Sequence, residues 1–127
     1  MDDMLGWRSH IVFTPDTTWQ PPVDVYETDT QLIVRVEIAG VDVGDLDIHL
    51  DRDSLVIAGA RADPASQREE IRCVHHREID CGRFERIVRL PARVARQDIR
   101  AHLKDGFLEI TLGKEKERPE PFSVDVS

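Results

Sequence analysis

The densest group of chemically capable side chains in this 127-residue sequence is Cys73, His75, His76, Arg77 and Glu78. Thiolate and imidazole are ligands for transition metals, and imidazole moves protons near neutral pH. Along an extended chain successive side chains alternate, so Cys73 and His75 share a face and His76 points the other way. Two ligands on one face are too few for a closed zinc site, which wants four. The pair therefore reads as ordinary strand residues, and titration of His75 and His76 is the only chemistry left to them. Ser9, Ser54, Ser66, Ser123 and Ser127 lie in loops or tails with no base placed beside them, and no Gly-x-Ser-x-Gly elbow occurs. The seven glycines sit singly, which excludes a phosphate-cradling loop. The run Asp42-Val43-Gly44-Asp45-Leu46-Asp47 is acidic but lacks calcium-loop spacing and reads as a solvated turn. No catalytic constellation emerges. The chain is expected not to be an enzyme and to use no metal or cofactor.

Charge narrows the partners. The net charge of −8 argues against nucleic acid, which is bound by clustered excess Lys and Arg. Residues 61–100 hold ten Arg against seven acids, whereas residues 1–60 hold three Arg against twelve acids. That asymmetry suits an Arg-rich middle meeting an acidic surface of another copy, or a solvated mosaic surface. Apolar runs are far short of the ~20 residues a bilayer helix needs, and Asp2 and Asp3 stand where a signal peptide would be basic. A cytoplasmic protein with no membrane partner is expected. Cys73 and Cys81 form no disulfide framework and are expected to be reduced thiols.

The elements around these residues read as strands. Residues 1–21 contain Pro15 and Pro21, lack periodicity, and carry Leu5, Trp7, Ile11, Phe13 and Trp19, so they form an arm whose apolar side chains must pack somewhere. Val23, Val25 and Tyr26 mark a short strand, and Gln31 to Ala39 alternates with Leu32, Val34, Val36 and Ile38 on one face. Leu46, Ile48 and Leu50 alternate with Asp47, His49 and Asp51. Leu55 to Arg61, apolar on both faces at its start, predicts a central strand. A polar loop covers residues 61–70, Ile71 to Glu78 forms a possible strand, and Phe84, Val88 and Leu90 mark another. Arg93 to Gln97 is expected to be a connection. Ile99, Ala101 and Leu103 precede Asp105-Gly106, a strong hairpin signal, and then the strand from Phe107 to Leu112. About eight short strands without helical periodicity predict an all-β, antiparallel β-sandwich.

Gly82-Arg83-Phe84-Glu85-Arg86-Ile87-Val88-Arg89-Leu90-Pro91 resembles the Gly-x-Phe-x-Arg-x-x-x-Leu-Pro motif of the small heat shock proteins. Ala101 to Leu108 is similar to that family's Ala-x-x-x-[Asn/Asp]-Gly-[Val/Leu]-Leu signature, and Pro22 to Thr28 and Val36 to Val41 resemble its opening strand and Leu-Pro-Gly-Val turn, with Ala39 in place of proline. The resemblance implies an α-crystallin domain over residues 22–113, an immunoglobulin-like sandwich, between a flexible arm (1–21) and a tail (114–127). It implies a dimer in which a strand of the middle loop, matched by Val74, His75, His76, Arg77 and Glu78, crosses to the other monomer's sheet. Arg86 matches an arginine engaged in ion pairing at that interface.

The resemblance further implies a tail motif, here Val124-x-Val126, that docks in a groove between the strands holding Leu46, Ile48 and Leu50 and those holding Ile99 and Leu103. Each valine is about one methylene smaller than the family's isoleucine, so a weaker latch is expected. The arm is short for the family, and its Leu5, Trp7, Ile11, Phe13 and Trp19 are candidates to bind clients. The implied function is ATP-independent holding of unfolding proteins by a homo-oligomer built from strand-swapped dimers. A scaffold protein and a monomeric co-chaperone-like adaptor are the alternatives on the same sandwich.

Overall fold

The computed structural model describes residues 19–116 and 123–126. Two antiparallel sheets face each other across one apolar core. The first holds β1 (Val23–Glu27), β2 (Gln31–Glu37), β7 (Phe107–Lys114) and β6 (Val94–Lys104), in that order; the second holds β3 (Leu46–Asp51), β4 (Ser54–Arg61) and β5 (Gly82–Arg89). The period-two pattern dictates which side chains turn inward. Leu32, Val34 and Val36 of β2 and Leu108, Ile110 and Leu112 of β7 are buried, and they pair directly across the ladder as Leu32–Leu112, Val34–Ile110 and Val36–Leu108. From the second sheet Leu55, Ile57, Phe84 and Val88 meet them. Burying each such side chain stabilises the sandwich by roughly 1.5–3 kcal/mol.

Asp105 and Gly106 take φ of 54° and 83°, the left-handed pair that a type I′ hairpin requires, and they join β6 to β7. The acidic run becomes a single 3-10 turn, Val43–Asp45. β4 is the middle strand of its sheet, which accounts for its double-faced apolar start: Leu55 and Ile57 face the core, while Val56 points outward beside Ile87 of β5 and is still only 8% exposed.

Three expectations change. Residues 71–81 carry no strand and join neither sheet of their own chain. Seven strands rather than eight are therefore present among the described residues. Arg93 to Gln97 is no simple connection, since Val94 already opens β6 by pairing with Lys114; the ladder then slips and resumes at Ile99–Leu112. Trp19, expected in a flexible arm and as a candidate to bind clients, is a core residue at 4% exposure whose ring meets Phe84 edge to face. Its indole is too large an apolar surface to leave wet when a partner ring is near. Leu5, Trp7, Ile11 and Phe13 lie outside the described residues.

Candidate interaction surfaces

The path of residues 19–22 orients the open edges of the sandwich. Trp19 bridges to Phe84 in β5, and its indole Nε1 donates to the Gly82 carbonyl at 2.9 Å. The Pro21 carbonyl accepts from Arg86 Nη1 at 2.7 Å, and the Pro22 carbonyl accepts from the Glu37 amide at 3.2 Å. The segment thus straps the β5 edge of one sheet to the β1–β2 side of the other. With that side strapped, β3 and β6 are the two sheet edges left on the far side. Leu46, Ile48 and Leu50 on β3 and Ile99 and Leu103 on β6 are all half-buried against the core, so one flank of each remains open to another apolar group. An edge strand also leaves backbone groups free for an extended partner.

Val124 and Val126 are 75% and 95% exposed and contact no groove of their own chain. Two apolar side chains at i and i+2 project to one side of an extended segment.

Arg86 differs from the other arginines of the middle segment. Its β5 position pairs with the core residue Ile57, so its side chain starts on the inner face. Burial pushes its guanidinium below the ordinary arginine range, and among the described residues its hydrogen-bond partner is a carbonyl rather than a carboxylate. Among the described residues this half-buried cation has no carboxylate partner, and a buried charge left unpaired is costly.

The middle loop is held by its own contacts. Arg61 lies over the Trp19 indole, 4.2 Å from the ring centroid, and donates to the carbonyls of Asp80 and Ala39. Arg77 Nη2 donates to Asp63 Oδ1 at 2.7 Å and to Cys81 Sγ at 3.2 Å. Asp63 also accepts from the Ala65 amide and so caps the 3-10 turn Pro64–Gln67. These donors hold the Asp63 carboxyl below the usual range, the hydrogen bond from Arg77 being the largest cause, and the same bond raises Arg77. A largely apolar cleft of about 570 Å³ lies under this loop, walled by Ala39, Ala62, Pro64, Ile71 and Ile79. Val74, His75, His76 and Glu78 are exposed; Cys73 Sγ lies 3.3 Å from His75 Nε2, and His76 meets Glu78. Two-ligand contacts are as far as metal chemistry goes: no three His, Cys, Asp or Glu side chains converge among the described residues.

The first sheet's β1 edge is the other exposed strand. Val25 and Tyr26 are 40% and 48% exposed. The Tyr26 hydroxyl donates to Asp24 at 2.9 Å, and that bond raises the phenol above its ordinary value. Sequence reasoning did not find the roles of Trp19, Asp63 and Arg61. Their partners are 65, 14 and 19 or more positions away, and no local spacing encodes such contacts.

A model described as Hsp20/alpha crystallin family matches residues 24–127. The chain belongs to the Hsp20/alpha crystallin family. Among relatives of this family, the chain is 32% identical to small heat shock protein C2 of Rickettsia felis, over 76% of this chain and 62% of that one. It is 35% identical to spore protein SP21 of Stigmatella aurantiaca, over 79% and 56%. The chain thus spans about three-fifths of the length of these two relatives. In structure it is similar to the small heat-shock protein of Xylella fastidiosa, with a TM-score of 0.73, 27% identity, and coverage of 87% of this chain and 99% of that one. Two antiparallel sheets with this strand arrangement make the described unit an α-crystallin sandwich. Among the described residues no helix is long and apolar enough to cross a membrane.

Proposed function

We propose that this protein is an ATP-independent holdase, a chaperone that binds unfolding proteins through apolar surface and keeps them from aggregating. The observation that carries the reading is the separation of an exposed Val124-x-Val126 tail from the open, apolar-flanked edges β3 and β6, in a chain whose family match runs from residue 24 to residue 127. In the working assembly the tail of one copy docks against Leu46, Ile48, Leu50, Ile99 and Leu103 of another. Segment 74–78 pairs with a second copy's β1 edge, and Arg86 gains its carboxylate partner at that junction. Undocking exposes apolar strand edges to clients, whose own exposed apolar surface drives binding with no fuel needed. No turnover chemistry, metal or cofactor belongs to this reading. A cytoplasmic location is part of the same reading.

The test is light scattering of a heat-aggregating client, with and without ATP, over a range of chaperone ratios. Suppression near equimolar subunits, equal in both arms, is the expected result. Intact protein without suppression overturns the reading. The 35% identity to a spore protein favours one second reading, a structural component of a particle. Stable incorporation into a particle without client protection would decide for it.

A further inference from the structure

The 62–81 loop must satisfy two demands at once. It carries Ile71, Val74 and Ile79 at 39%, 53% and 80% exposure, apolar side chains that a solvated loop does not need. Yet the same loop is tied to its own domain. Arg77 reaches back across 14 positions to Asp63 at 2.7 Å, with both side chains about two-thirds buried, and the same Nη2 touches Cys81. Asp63 sits just after β4 and Cys81 just before β5, so Arg77 gathers both roots of the loop onto its middle. For residues 71–79 to extend to a neighbour, Arg77 must leave Asp63.

We propose that the Asp63–Arg77 ion pair is a clasp that keeps the 71–79 segment closed on its own domain, and that its release is the step committing the segment to a second copy of this chain. The clasp rests on the strand-exchanged dimer described above, but its action is intramolecular. Arg77 has one guanidinium and two candidate sites, its own Asp63 and the junction between copies. Closed and exchanged forms therefore compete for the same group, and the ion pair sets a barrier to association with a second copy. The surrounding contacts agree with a clasp that opens without unfolding the domain. Arg61 anchors the loop root through contacts that do not include Arg77, namely the Trp19 indole and the Asp80 carbonyl.

Asp63→Asn tests the proposal, because the amide oxygen still caps the 3-10 turn while the charge is lost. Association of separated, fluorescently labelled copies of the full chain, followed by energy transfer, should accelerate about threefold to tenfold, and dimerisation should tighten. Slower association or a weaker dimer would place the pair in the exchanged form and overturn the proposal, as would no change. If both wild type and Asp63→Asn sediment as monomers at all concentrations, the dimer reading fails by itself. Backbone hydrogen exchange across 71–79 then reads the clasp directly. Faster exchange in Asp63→Asn sustains it, and an unchanged rate overturns it.

Discussion

The Trp19 indole and the Phe84 ring meet edge to face at 63°, with ring centroids 5.2 Å apart. That contact, together with the indole's bond to the Gly82 carbonyl, pins the chain's entry into the sandwich against β5. Trp19→Ala should destabilise the domain by about 3–5 kcal/mol, the usual range for emptying an aromatic site. Trp19→Phe should recover much of the packing but not the hydrogen bond. Chemical denaturation of the three proteins would measure both. A Trp19→Ala protein as stable as wild type would mean that residues 19–22 do not strap the sandwich.

Two glycines should respond differently to the same change. A Cβ at Gly59 would stand 2.7 Å from both the Asp45 carbonyl oxygen and the Phe84 Cζ, one of them backbone and the other a buried ring. Gly59→Ala should cost about 1–3 kcal/mol with no simple rescue. A Cβ at Gly113 would fall 1.9 Å from Asp98 Oδ2, within the irregular stretch of β6, where the obstacle is a half-exposed side chain. The Gly113→Ala penalty should be smaller and should vanish in the Asp98→Gly background. A double-mutant cycle of thermal unfolding would show the coupling.

Acid should loosen the middle loop. The Asp63 carboxyl is held down in the folded state, chiefly by Arg77, so its contribution is fully present above the ordinary carboxylate range of about 4. It is lost as pH falls through the lower folded value. Hydrogen exchange at residues 71–79 should therefore rise below about pH 4 in wild type, and Asp63→Asn should flatten that dependence. An identical acid response in both proteins would assign the loosening to other groups.

The tail valines should set the strength of assembly. Replacing Val124 and Val126 by alanine should lower the mass of the assembled protein seen by native mass spectrometry, since each removes apolar surface from the proposed groove contact. Replacing either by isoleucine adds a methylene worth about 0.8 kcal/mol, or roughly fourfold in affinity. A mass distribution insensitive to both changes would detach the tail from assembly.

Period-two alternation made the strands legible because a half-buried strand must place apolar groups on every second residue. It placed β2, β3 and β7, while the departure from alternation at Leu55, Val56 and Ile57, apolar on both faces, marked β4 as central. The Asp105-Gly106 pair was equally legible, since few dipeptides tolerate positive φ at both positions. The sequence motifs at Gly82–Pro91 and Ala101–Leu108 carried the family, and the match over residues 24–127 agrees. The residues expected to form interfaces were named from that resemblance; their half-buried or exposed positions are what the structure adds.

Trp19 shows where local reading stops. Its neighbours have no periodicity, so its sequence context suggested an arm with no stated partner, and only the arrival of Phe84 from 65 positions away buries it. Asp63 and Arg77 were a loop acid and a candidate interface base until the fold of the loop set them 2.7 Å apart. Alternation, turn chemistry and charge are properties of neighbours along the chain, and those the sequence determines by itself. Which ring covers which indole and which carboxylate claims a given arginine depend on how two sheets and a long loop close in space, and there the tertiary structure decides.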